Sequence, residues 1–167
     1  MQVDVILEAG LPESRVEGLA VQAERYGIQT LWVAAFPSRR DPVPALALAA
    51  RATRRIRLAT LPVSPYEVHP LRLADQLLTL NELSQGRASI LIGGLGHSVS
   101  RVTGLQPTRR VTAVRDTVSI LKGLRPASAR LKNFIEQAAK ATLVGDIFDD
   151  AATGQGLLNY FLRAMNC

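Results

Sequence analysis

Residues 57–94 read RLATLPVSPYEVHPLRLADQLLTLNELSQGRASILIGG. Arg57 to Val63 carries alternating and β-branched apolar residues and stops at Ser64-Pro65. Ala88 to Ile92 is a short apolar run that stops at Gly93-Gly94. Both are strand signals bounded by turn residues. Between them Leu73, Leu77, Leu80 and Leu83 recur at helical spacing, with Arg72, Asp75, Gln76 and Glu82 on the other positions. That pattern predicts an amphipathic helix opened by Pro70 in its first turn. Strand, crossover helix and strand of this length form a right-handed βαβ unit with parallel strands. Ligands of such units sit beyond the carboxyl ends of the strands. Ser64, Tyr66, His69, Gly93, Gly94 and Gly96 are therefore expected to meet around one concavity.

The same alternation runs outward along the chain. A strand is expected over residues 3–7, a helix over 12–26 with Val16, Leu19, Ala20 and Ala23 on one face, and a strand over 30–34. Gly27 closes that helix as a C-terminal cap. A helix over residues 42–53 has Asp41 as its N-cap, prolines in its first turn and an alanine-rich face that lets it lie close to a sheet. Beyond Gly93, residues 94–106 read as a glycine- and serine-rich loop. A further helix follows over 108–124, with Val111, Val114, Val118 and Leu121 at helical spacing. Four alternations of strand and helix give a parallel sheet and the α/β class.

A chain of 167 residues supports one domain but falls short of a complete eight-stranded α/β barrel, which needs about 250 residues. The expected architecture is a partial TIM-barrel-like half barrel, (β/α)4, over residues 1–126. A short helical C-terminal tail occupies 127–167, where composition shifts from arginine and proline toward lysine, asparagine and phenylalanine. Residues 128–143 and 157–165 read as its helices. No apolar run approaches the roughly 18 residues of a membrane span, and the amino terminus leads directly into a strand, so a cytoplasmic protein without membrane contact is expected. The lone Cys167 is the last residue, which leaves no internal disulfide or cysteine-built metal site. A net charge of +6 raises nucleic acid as a partner. The arginines, however, are scattered without interleaved aromatics, and the cluster Arg51, Arg54, Arg55, Arg57 reads as a solvated helix end, so no nucleic-acid partner is expected. Arg39 and Arg40 lie in a loop after the second strand, open to a phosphate, an acidic group or water alone.

Several of these residues recur in a known pattern. Ser64-Pro65-Tyr66-Glu67-Val68-His69-Pro70, then Leu83-Ser84-Gln85-Gly86-Arg87 ahead of the fourth strand, resembles the luciferase-like monooxygenase family. The branch it most resembles is that of the reductases and dehydrogenases dependent on the deazaflavin coenzyme F420. Members typically show Asn-Pro-Tyr-x-Arg-His-Pro and Leu-Ser-x-Gly-Arg at these places. The resemblance runs from Val3 to about residue 124. It implies a flavin- or F420-dependent oxidoreductase of hydride-transfer type, with coenzyme F420 or FMN as cofactor and a small molecule as substrate. It also implies a bulge with a cis peptide against which the cofactor ring rests, here Leu61-Pro62. One departure stands out. F420 enzymes usually carry an Asp-His pair after Trp-Val-Ala, and this chain reads Trp32-Val33-Ala34-Ala35-Phe36. Phe36 can pack on a cofactor face but transfers no proton, so activity alone is expected to be low or absent. The alternative reading is a non-catalytic remnant that binds flavin weakly or serves as an assembling subunit.

The candidate chemistry is sparse. His69 stands at the start of a helix, where the dipole disfavours the imidazolium, so it reads either as a neutral donor or acceptor or as a structural group. Glu8 ends the first strand, where it could exchange a proton or cap the next helix. His97 follows the fourth strand as a substrate contact or a solvated loop residue. Gly93 and Gly94 let a flat ring approach the backbone, or simply make the turn. With Phe36, Leu61, Pro62, Ser64, Tyr66 and His69 they form the expected cofactor-binding set. Two histidines without a carboxylate cluster argue against a metal. A half barrel leaves its first and last strands as unpaired edges, so a homo-oligomer is expected.

Overall fold

The computed structural model describes residues 3–93 and 97–123. Its elements are β1 (Asp4–Leu7), α1 (Glu13–Arg25), β2 (Thr30–Ala34), α2 (Pro42–Ala52), β3 (Arg57–Val63), α3 (Pro70–Leu83), β4 (Ala88–Ile92), α4 (His97–Thr103) and α5 (Arg110–Gly123). The strands form one sheet in the order β1-β2-β3-β4, every neighbouring pair parallel. Each strand is followed by a helix, and the class is α/β as the alternation requires. The expected tail over 127–167, with its two helices, lies outside the described residues, as does Gly94.

The register divides the sheet into two faces. Leu7 pairs with Val33, Val33 with Thr60 and Thr60 with Ile90. This row and the row of Val5, Leu31, Leu58 and Ala88 face the helices. Leu31, Leu46, Leu58 and Ala49 are fully buried there, with Val16 and Ala20 from α1, Leu73 and Leu77 from α3 and Val118 from α5. Each fully buried Leu adds roughly 1.5–3 kcal/mol. The alanines of α2 serve the close helix approach expected of them: Ala45, Ala49 and Ala50 all lie in this core. On the opposite face Ile6 pairs with Trp32, Trp32 with Ala59 and Ala59 with Ser89. Trp32 Nε1 donates to Asp4 Oδ2 at 3.2 Å across that face.

Four local expectations are corrected. Residues 94–106 are not one loop, because His97–Thr103 forms the short helix α4, closed where Gly104 takes a φ of 70° and its N–H returns to the Ser100 carbonyl. A two-turn arginine- and valine-bearing segment between glycines carries too little periodicity to register in sequence. Leu83 and Val111 fall off their stripes and are 42% and 46% exposed. The 3.6-residue period brings Ala74 and Asn81 on α3, and Thr117 on α5, to the buried side instead. Val3 precedes β1, which begins at Asp4. Finally, the Leu61-Pro62 bond is trans. Between β3 and β4 the ladder steps from Thr60↔Ile90 to Val63↔Ile92, so β3 carries one extra residue there. That bulge supplies the bend and frees Pro62 from donating a hydrogen bond, which a trans proline accommodates without an altered peptide.

Candidate active site

At the carboxyl edge of the sheet the loops after β2 and β3 enclose a concavity of about 520 Å³. The β2–α2 loop contributes Ala35, Phe36 and residues 37–41. The β3–α3 loop contributes Tyr66, Glu67 and Val68, and Thr103 with Leu105 close the far side. Pro42 and Val43 from α2, and Leu73 and Gln76 from α3, form walls around Thr60 and Val63. The size suits a drug-sized or cofactor-sized molecule, and the walls are mostly apolar with a few polar groups, as such sites require.

Local sequence explains how each part is held. Asp41 caps α2 by accepting from Val43 N at 2.9 Å, which fixes the end of the β2–α2 loop. Ala35 N donates to the Leu61 carbonyl at 2.7 Å, tying that loop to the β3 bulge. Ser64 is buried and its Oγ accepts from Tyr66 N at 3.1 Å, a turn that swings the Tyr66 ring onto the concavity. The Tyr66 hydroxyl in turn donates to the Thr108 carbonyl, bracing the β3–α3 loop against the segment leading to α5. Arg40 pairs with Glu13 at 3.2 Å. Arg39 lies with its aliphatic stem over Gly10, whose φ of 91° and missing side chain make room for it.

The expected cofactor set is only partly drawn together. Phe36, 40% exposed, and Tyr66 line the concavity, and Leu61, Pro62 and Ser64 build the bulge and turn beneath it. Gly93 meets the bulge from β4: its N–H donates to the Val63 carbonyl at 3.1 Å, and a Cβ there would stand 3.0 Å from Pro62 Cβ. His69 is placed elsewhere. It is the N-cap of α3, its Nδ1 accepting from Leu71 N at 3.3 Å, and it is not on the wall. Glu8 follows β1 as an exposed residue, also off the wall. Among the described residues no group of His, Cys, Asp or Glu could hold a metal, and no helix is long and apolar enough to cross a membrane.

Two residues on the wall escaped the sequence reading. Burial pushes the Glu67 carboxyl above its usual range, which makes it the titratable group of this concavity with a displaced proton affinity. Thr60 is fully buried, and its Oγ1 has no hydrogen-bond partner among the described residues. The signal for Thr60 was present: the two-residue period of β3 puts it on the helix-facing side with Leu58, where a hydroxyl is out of place.

The opposite edge of the sheet is stapled by charge. Glu24, near the end of α1, accepts from the backbone N–H groups of Arg54, Arg55 and Ile56 at 2.7–3.1 Å. Burial works against its charge, but these bonds outweigh it and hold the carboxyl below its usual range. Arg87 projects under α2: Nε donates to the Ser84 carbonyl, Nη1 to Thr53 Oγ1 and the Ile56 carbonyl, and Nη2 to the Ala50 and Thr53 carbonyls, all within 2.7–3.0 Å. Desolvation lowers its proton affinity, the Glu24 charge opposes this and Arg54 adds to it. The Leu-Ser-x-Gly-Arg pattern is thus a structural staple here. Beside it a groove of about 640 Å³ is lined by Glu24, Arg25, Ile56, Arg57 and their neighbours.

Known proteins share this fold. A family-wide sequence profile described as luciferase-like monooxygenase matches residues 3–143. An uncharacterized protein of Mycobacterium tuberculosis is 37% identical over 86 residues, covering 50% of this chain and 30% of its own length. The coenzyme F420-dependent tetrahydromethanopterin reductase from Methanopyrus kandleri superposes with a TM-score of 0.67 at 24% identity, over 73% of this chain and 40% of that one. The oxygenating constituent of 3,6-diketocamphane monooxygenase from Pseudomonas putida, solved with FMN, gives 0.63 at 23% identity, over 73% and 38%. At such identities the structures speak for the fold, a TIM-barrel-like one. The chain spans well under half the length of these relatives.

Proposed function

We propose, for a chain that belongs to the luciferase-like monooxygenase family, that the concavity after β2 and β3 holds a flavin-type cofactor, coenzyme F420 or FMN, and serves hydride transfer to or from a small molecule. The observation that carries this reading is the concavity itself. It lies beyond the carboxyl ends of parallel strands, within the family-matched residues, with an exposed Phe36 ring on its wall. Its volume and largely apolar lining fit a flat ring, and Phe36 and Tyr66 offer aromatic surface to it. When bound, such a cofactor supplies the hydride chemistry, and protein groups position and tune it.

The chain's own residues then have separable tasks. Phe36, Val63 and Leu105 give the wall its apolar surface. Tyr66, held by Ser64 below and Thr108 across, fixes one side of the concavity. Glu67 keeps its proton to higher pH than an ordinary carboxylate and is the group able to exchange one there. Ala35 and Phe36 stand where the resembling F420 enzymes carry an Asp-His pair, so turnover by this chain alone is expected to be low. Assembly belongs to the same proposal: β1 and β4 each have one strand neighbour among the described residues, and a second copy could pair β4 with β1. A folded monomer at micromolar concentration in sedimentation would refute that part.

Titrating the purified chain with FMN and with coenzyme F420, followed by fluorescence, tests the reading. Saturable binding of one of them, weakened about tenfold or more by Phe36→Ala, is expected, since base-like stacking on an aromatic ring is worth about 1–3 kcal/mol. Failure of both to bind, or binding indifferent to Phe36→Ala, would overturn it.

A further inference from the structure

We propose that the groove at the amino-terminal edge of the sheet is a second binding site, for a compact anion carrying a diphosphate group. The groove lies between the end of α1 and the start of β3, on the edge opposite the concavity, and nothing in the hydride-transfer reading uses it. Arg25, Arg55 and Arg57 all line it, with Glu24 as its only acidic group. Three cations against one carboxylate leave an excess of two positive charges in about 640 Å³.

The single carboxylate does not discharge the arginines. Both Glu24 oxygens are occupied by the backbone N–H groups of Arg54, Arg55 and Ile56, so its hydrogen-bonding capacity is directed into the chain. Arg55 feels its charge at a distance. The Arg25 and Arg57 guanidinium groups have neither an ion pair nor a hydrogen bond among the described residues. The nearby salt bridges, Arg40 with Glu13 and Arg72 with Asp75, belong to other surfaces. A solvated helix end explains Arg25, which sits in the last turn of α1. It does not explain Arg55 and Arg57, which belong to the approach and first residue of a strand; Glu24 holds the Arg55 N–H, and the Arg57 N–H donates to the carbonyl of Gln29, another residue of the groove.

The ligand class follows from charge and donor geometry. Guanidinium groups present paired N–H donors that match phosphate oxygens. A diphosphate spreads its oxygens over two phosphate groups, so it can meet three guanidinium groups together, and its charge answers the excess of two. A long nucleic acid would need a basic track with aromatic surfaces along it, and the groove is a closed cluster with no aromatic residue among its lining.

Calorimetric titration of the whole chain with inorganic pyrophosphate, and separately with a nucleoside diphosphate, tests this. Submillimolar binding of pyrophosphate at low salt is expected, falling as ionic strength rises. The double variant Arg55→Gln, Arg57→Gln should weaken it at least tenfold while keeping the wild-type circular dichroism spectrum and melting temperature. Phe36→Ala, on the other edge, should leave it unchanged even if flavin binding proves absent, which keeps the two readings separate. Equal affinity for both diphosphates assigns recognition to the phosphates alone, and tighter binding of the nucleoside form adds a base contact; both support the site. No binding beyond that of chloride, or unaltered binding by the double variant, overturns it.

Discussion

Replacing Arg87 by methionine keeps the length of the apolar stem and removes the guanidinium. The change takes a donor from the carbonyl oxygens of Ser84, Ile56, Ala50 and Thr53 and from the Thr53 hydroxyl, which keeps its own bond to the Ala49 carbonyl. Hydrogen bonds to a charged group are worth about 1.5–3 kcal/mol each. Adding five of them would reach about 15 kcal/mol, as much as the whole stability of a domain, so the bonds cannot be counted independently. Arg87 is only half-buried, and water can reach part of what it leaves. Removing one partner from a buried charged network costs about 3–5 kcal/mol, and the lower part of that range, about 3–4 kcal/mol, applies here. For a chain of this size that lowers the melting temperature by about 6–16 °C. Arg87→Lys keeps the charge but offers a compact ammonium in place of a planar fork, so about half the loss is expected. Urea unfolding followed by circular dichroism measures both, with the slope against denaturant checking that the variants unfold as one unit. A methionine variant that melts within about 1 °C of wild type would show that the stapling argument is wrong.

Glu24 carries a pH signature. Its folded proton affinity lies below the ordinary carboxylate value, so its contribution is fully present above that value and is lost as pH falls through the lower, folded one. Glu24→Gln should therefore cost about 1–2 kcal/mol at neutral pH, discounted because most of its bonds are solvent-exposed, and flatten the acid limb of the stability profile; parallel profiles would refute this. Thr60→Val removes a buried hydroxyl that has no partner among the described residues, in a shape of the same size, so stability should stay level or rise by up to about 1 kcal/mol. A loss larger than that in thermal melts would mean the hydroxyl has a partner.

The strands were readable because their signals are redundant. Arg57–Val63 and Ala88–Ile92 are each apolar, β-branched and fenced by Pro or Gly, so turn chemistry and pattern agree. The caps were readable for the same reason, since Asp41 and Pro42 are local signals for one local structure. The site was less readable because its parts come from different loops. Phe36 and Tyr66 could be placed by the rule that ligands sit at strand carboxyl ends, whereas His69 obeyed a stronger local demand, the unsatisfied N–H groups of the helix it begins. Glu67 shows the reverse limit. Its displaced proton affinity arises from burial by the loops packed around it, and nothing in the neighbouring residues of the sequence announces that burial.

The two edges of the sheet divide the labour between them. At the amino edge, Glu24 and Arg87 bind backbone groups on the far side of a loop or helix, and both are charged so that a few atoms can satisfy many donors or carbonyls at once. Rigidity there fixes where β2 and β3 begin, and a parallel sheet passes that placement to their other ends through the ladder from Thr30↔Arg57 to Ala34↔Leu61. At the carboxyl edge the ladder breaks at the Thr60–Val63 bulge, the hydroxyl of Thr60 has no partner among the described residues and Phe36 stays open to water. Each of these is a local cost with no gain in stability to offset it. Natural chains tolerate such conflicts where a site needs them. They gather at the edge where we propose the site, opposite the one where Glu24 and Arg87 find their partners.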